Sequence, residues 1–162
     1  MRLVSVLGWF FFVCLSIQVR AQEYVGLGVK EVQSRLKKEA RLRQQPGRSL
    51  PPATSAKEMF TAVVSTAIDI QLSCDSAGLC FAEQYLCADE PSALQCLRKI
   101  LSKKEYGWRP LNDNQHVSTM ERQRLLEIYH HHETFWVVQI LRTDWSPLQY
   151  QLLFSTTLNL AK

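Results

Sequence analysis

Four cysteines, Cys74, Cys80, Cys87 and Cys96, fall within 23 consecutive residues, and the compartment in which the chain folds decides what they become. In an exported protein an even, clustered set of thiols favours cross-links; in a reducing compartment it does not. The start of the chain speaks to the compartment. Met1-Arg2 is followed by a nearly unbroken apolar run from Leu3 to Ile17, then by Val19-Arg20-Ala21 before Gln22. That order of charged start, apolar core and small residues is the pattern of a secretory leader. The run, about 15 residues, is shorter than the roughly 20 of a spanning helix. Residues 1–21 are therefore expected to be a signal peptide cleaved after Ala21, with Cys14 leaving with it. The chain is expected to be secreted, extracellular or in a bacterial periplasm.

Two disulfides follow from that premise. The spacings Cys-x5-Cys, Cys-x6-Cys and Cys-x8-Cys lack the Cys-x2-Cys knuckle of a zinc site. Four cysteines allow three pairings. A helix over 80–87 would hold Cys80 and Cys87 about 10 Å apart along its axis, too far to bond. The pairing Cys74 with Cys80, across the turn Asp75-Ser76-Ala77-Gly78, and Cys87 with Cys96 is favoured over Cys74 with Cys87 and Cys80 with Cys96.

The rest of the chain reads as one α+β domain preceded by an arm. Residues 22–57 hold eight Lys/Arg against three Glu, and 58–162 hold nine against twelve Asp/Glu, so the basic character belongs to the arm. Val25, Val29, Val32, Leu36 and Ala40 recur at steps of three and four among Lys30, Arg35, Lys37, Lys38, Arg41 and Arg43, which predicts a basic amphipathic helix within 22–45. A Pro-rich linker, 46–55, cannot continue it. The domain then occupies 56–162. Ser55-Ala56-Lys57-Glu58 has the form of a capping box and predicts a helix to about Ala67, with a strand from Ile68 to Cys74 where apolar and polar residues alternate. Leu79–Cys87 leans towards helix. Asp89-Glu90-Pro91 opens a helix to about Lys104. Ser118-Thr119-Met120-Glu121 is a further capping box, predicting helix over 119–129. Thr134–Arg142 reads as a central strand and Leu148–Leu158 as a half-buried one, joined by Thr143–Pro147 into a C-terminal β-hairpin. The expected fold is thus an N-terminal amphipathic helix and linker, a disulfide-braced helical middle, and a small antiparallel sheet.

Chemistry is less legible. The chain has no Gly-x-Ser-x-Gly elbow, no His-Glu-x-x-His pair, no phosphate loop and no dinucleotide fingerprint, so the reading leans away from an enzyme and expects no cofactor. The arm helix lacks the interleaved aromatics of a nucleic-acid binder. A tethered stripe of Val29, Val32 and Leu36, flanked by Arg35 and Lys38, either folds back on its own domain or lies in a partner's groove. Loop residues Trp108 and Trp145 belong to the residue type that dominates binding hot spots. The expected function is a non-catalytic protein-binding module, an inhibitor, adaptor or envelope-assembly component, whose partner the residues do not name. Two alternatives stand beside it. One is a metal-binding protein or metal-dependent enzyme using His116, His130, His132 and Glu133, which requires these residues on a strand so that His130 and His132 share a face. The other is a peripheral protein whose basic arm touches an anionic membrane surface.

Overall fold

The computed structural model describes residues 24–39, 48, 50–51, 55–121, 123–132 and 134–159, with backbone alone for 39 and 155–159. The expected leader, residues 1–21, lies outside them. So does most of the expected linker, apart from Arg48, Leu50, Pro51 and Ser55. Helix α1 (Val29–Glu39) precedes three strands, β1 (Glu58–Val63), β2 (Ile68–Cys74) and β3 (Cys80–Cys87). Helix α2 (Glu90–Leu101) and a single 3-10 turn (Lys104–Tyr106) carry the chain to β4 (Trp108–Asn112), β5 (Gln115–Ser118), β6 (Arg124–His131) and β7 (Phe135–Arg142); α3 (Pro147–Asn159) follows. The strands form one antiparallel sheet in the order β1-β2-β3-β7-β6-β5-β4. Helix α2 crosses the sheet to the far edge, and the β4–β7 meander returns until β7 pairs with β3. The meander's last strand is therefore central.

This architecture corrects the expected helical middle. Residues 58–63 form an edge strand because Phe60, Ala62 and Val64 alternate, and these three pack on the core; the neighbouring Met59 and Val63 blur that period of two in the sequence. Leu79–Cys87 resolves as strand β3. Ser118 does accept from the Glu121 backbone N–H at 2.8 Å, as a capping box requires, but its hydroxyl also donates to the Tyr106 carbonyl at 2.6 Å. The motif closes a turn between β5 and β6, and β6 replaces the expected helix. At the C-terminus the apolar alternation misleads. Ser146 and Gln149 exchange hydrogen bonds, backbone N–H to side-chain oxygen in both directions at 2.8 and 3.3 Å, with Pro147 opening α3. Ser-Pro-Leu-Gln is thus a helix start. The expected 134–158 hairpin is absent, and β7 pairs with β6 and β3 instead.

The disulfides are corrected too. Cys74, Cys80, Cys87 and Cys96 are free, buried thiols. Cys74 stands opposite Cys80 in the β2–β3 register, all four lie in the main core, and the Cys80 and Cys87 thiols donate to the Ala82 and Tyr85 carbonyls. What holds the domain is packing. One face of the sheet presents Ile70, Leu72, Tyr85, Leu126, Val138 and Ile140 to α1, which contributes Val32 and Leu36, and to α2, which contributes Ala93, Cys96, Leu97 and Ile100. Each large apolar side chain withdrawn from water there stabilises by about 1.5–3 kcal/mol. The β2–β3 turn anchors the start of α1. Asp75 Oδ1 accepts from the Ala77 and Leu79 N–H groups, Gly78 takes the φ of +75° that the turn needs, and residues 26–29 pair with 78–80. The Glu83 carboxylate, fully buried, accepts from the Tyr24 backbone N–H and the Tyr85 hydroxyl.

Candidate functional site

Residues expected to carry function are scattered. Val32 and Leu36 are buried in the protein's own core, Val29 packs against it, Arg35 pairs with Glu31 at 2.6 Å, and Lys38 is exposed. The stripe thus folds back on its own domain. Trp108 sits on β4, its ring 5.6 Å from Tyr106 and packed on the core. Trp145 precedes α3 and lines a recess of about 420 Å³ with Met120, Glu121 and Tyr150. The two tryptophans occupy different environments.

The histidines do not converge. His116 lies on β5 opposite Leu126, four residues along β6 from His130, or about 13 Å at the rise of a strand. Burial pushes its imidazole pKa down, and its Nδ1 has no partner. His130 stacks on Trp136 at 4.9 Å, while His132 sits in the β6–β7 turn at φ 43°. Glu133 lies outside the described residues. Among the described residues no three His, Cys, Asp or Glu side chains are grouped to hold a metal ion. Three of the four thiols are unsuited to attack: burial pushes Cys74 and Cys80 up, and the Cys87 hydrogen bond together with burial raises Cys96.

The concentration of polar side chains lies on the sheet face opposite α1 and α2. Strand register sets Gln71 (β2), Gln84 (β3), Gln139 (β7), Glu127 (β6) and Gln115 (β5) side by side in one row. Alternation along each strand aims all five away from the apolar core. Their amides form a directed relay. Gln71 Nε2 donates to Gln84 Oε1 (3.4 Å), Gln84 Nε2 to Gln139 Oε1 (3.1 Å), and Gln139 Nε2 to Glu127 Oε2 (2.6 Å). From the other side, Asn112 Nδ2 donates to Gln115 Oε1 (2.8 Å) and Gln115 Nε2 to Glu127 Oε1 (2.5 Å). Both arms end on one carboxylate. Amide chains polarise in the direction of donation, so the row concentrates donor character on Glu127 and holds its orientation.

A segment of the chain already lies on this face. Gln71 clamps one residue by its main chain, accepting from the Leu50 N–H at 2.8 Å and donating to the Leu50 carbonyl at 3.3 Å. Two residues along β2, Asp69 Oδ2 accepts from the Arg48 backbone N–H (2.6 Å) and guanidinium (3.3 Å). Leu50 packs with Leu86 and Val137 in a small second core, joined by Tyr129 and Phe135. At the opposite end of the row, about three strand spacings or roughly 14 Å from Gln71, a recess of about 500 Å³ opens between the β4–β5 turn and β6, with Glu127, Tyr129 and Asp113 in its wall. Burial, the Glu127 charge and a hydrogen bond from Gln84 act on the Tyr129 phenol, and the net effect raises its pKa.

Sequence reasoning passed over this row because its glutamines are dispersed over 69 residues and each, alone, is an ordinary polar position on a strand. Only the register unites them. Comparison of the chain with models of protein families, with curated proteins and with solved structures finds no match to any of them.

Proposed function

We propose that this chain is a non-catalytic polypeptide-binding module whose site is the amide-lined face of its sheet. The observation that carries the reading is the Gln71 clamp: one side-chain amide holds both polar groups of the Leu50 main chain. Recognition through the main chain asks only that a segment be extended, and pockets for alternate side chains then give selectivity. Beside the clamp are both kinds of pocket, a carboxylate for a basic side chain at Asp69 and an apolar seat at Leu86 and Val137. Gln84, Gln139 and Glu127 extend the same chemistry over three further strands. A glutamine row needs no metal, cofactor or activated nucleophile for this work.

The experiment is a titration of the isotope-labelled chain with unstructured decapeptides of defined composition, followed by NMR of side-chain amides. Shifts confined to Gln84, Gln139, Gln115 and the Tyr129 ring support the proposal. Shifts confined to α1 and α2, or none at millimolar peptide, overturn it.

A further inference from the structure

We infer that the recess at the Glu127 end of the row takes the ammonium or guanidinium of a lysine or arginine side chain carried by the bound polypeptide. The inference rests on the proposed binding of a polypeptide and names what that polypeptide must contain.

Three observations converge. The recess is large enough for the end of a long side chain, at about 500 Å³, and its wall holds two carboxylates, Glu127 and Asp113, with no lysine, arginine or histidine. Among the described residues neither carboxylate has a cationic partner. Glu127 is also built in place: Gln139 and Gln115 donate to its two oxygens from opposite sides. Those bonds fix the carboxylate plane and leave further lone pairs for a third donor, since two carboxylate oxygens offer about four acceptor sites. The Tyr129 ring supplies an aromatic wall, and a cation held between a carboxylate and an aromatic face gains from both. The same face gives a precedent in miniature, because its other carboxylate, Asp69, already holds the Arg48 guanidinium. Asp69 is occupied from within the chain; Glu127 is open to a guest.

The neighbouring side chains define the guest further. Asn112, Asn114 and Gln115 also line the recess; the Gln115 and Asn112 carbonyl oxygens each accept one hydrogen bond within the turn and keep a second lone pair for the remaining N–H groups of an ammonium or a guanidinium. An anionic side chain would meet like charge with no compensating cation, and a neutral one would forgo the charge-assisted bonds.

Isothermal titration with three decapeptides tests this. They share one serine, alanine and leucine frame and differ at a single central residue, lysine, glutamine or glutamate. At low ionic strength the lysine peptide is expected to bind about tenfold or more tighter than the glutamine peptide, with the glutamate peptide weakest. Asp113→Asn, in an exposed turn, and Glu127→Gln are each expected to narrow the lysine preference, read as the ratio of lysine-peptide to glutamine-peptide affinity within the same variant. Tyr129→Leu reports the aromatic contribution in the same way. Equal affinity for all three peptides, or a lysine preference unchanged in the Asp113→Asn, Glu127→Gln double variant, overturns the cationic recess and leaves the polypeptide-binding face standing. No binding by any of the three overturns both.

Discussion

On β2, Ile70 and Leu72 look towards the helices while Gln71, between them, looks the other way, and all three are almost completely withdrawn from water. The two faces of one sheet thus bury most of their side chains by different means, with Glu83, beside Leu72 and Ile140 and held by Tyr24 and Tyr85, the polar exception on the helix-bearing face. The helix-bearing face relies on apolar contact: Leu72, Leu126 and Ile140 meet α1 and α2 without needing any directional bond. The opposite face buries amides, and each stays buried because a neighbour completes it, Gln71 through Leu50, Gln139 through Gln84 and Glu127. Apolar packing tolerates approximate fits, whereas an amide row works only in one register. The contrast teaches that the second face is the specific one. It is the face on which polypeptide binding is proposed.

The largest expected effect lies on the apolar side. Leu126→Ala, at a fully buried site of the core, is expected to lower unfolding stability by about 2–5 kcal/mol, read from urea denaturation at constant slope. A cost under about 1 kcal/mol would mean that the helices do not clamp this face as firmly as described. Next comes the amide side. Gln139→Leu removes the donor to Glu127 and the acceptor of Gln84 while adding apolar surface, and is expected to cost about 1–3 kcal/mol. The comparison breaks if this leucine stabilises the chain, since the row would then be filler and the face an ordinary half-apolar surface. Replacing Gln84 and Gln139 together by leucine is expected to cost less than the sum of the single changes, because the amides being removed satisfy one another.

Arg48→Ala gives a smaller effect. Its guanidinium is a third exposed and bonds Asp69 at 3.3 Å, but the Arg48 backbone N–H keeps its own bond to the same oxygen after truncation. An expected loss below about 1 kcal/mol follows from partial solvent screening. A loss of several kcal/mol would show that segment 48–50 is held by charge more than by the Gln71 clamp.

Different parts of this molecule were legible in the sequence for different reasons. Helix α2 announced both ends locally, through Asp89, which caps Ser92, and through its apolar spacing. The turn at Asp75–Gly78 and the strands over 68–74 and 135–142 were equally local. The failures share a cause. Ser55 and Ser118 carry the residues of a capping box, yet tertiary partners, Cys74 for the Lys57 backbone and Tyr106 for the Ser118 hydroxyl, recruit those segments into a strand and a turn. The alternation over 148–158 obscured Ser146-Pro147-Leu148-Gln149, a true helix start in plain view. The cysteine cluster suggested cross-links, but the fold buries all four as free thiols in its main core. The glutamine row had no local signature at all, because it exists only in the pairing of distant strands.

His116 and Gln115 are neighbours on β5 and point to opposite faces, so they test the contrast at its finest scale. Gln115 is completed by Glu127 and Asn112, whereas the buried Nδ1 of His116 meets no partner on the apolar side. Burial pushes the His116 pKa down, so the folded chain prefers the neutral imidazole while the unfolded chain takes up a proton at the ordinary value. The stability tied to that neutral form is complete above the ordinary imidazole range and is lost as pH falls through it towards the depressed folded pKa. His116→Leu is expected to remove this component and flatten the fall in thermal midpoint on mild acidification, with a small change at pH 8. If the pH profile of the variant runs parallel to that of the parent chain, the unpartnered histidine is not a cost of the apolar face, and the difference between the two faces lies in their hydrogen bonding alone.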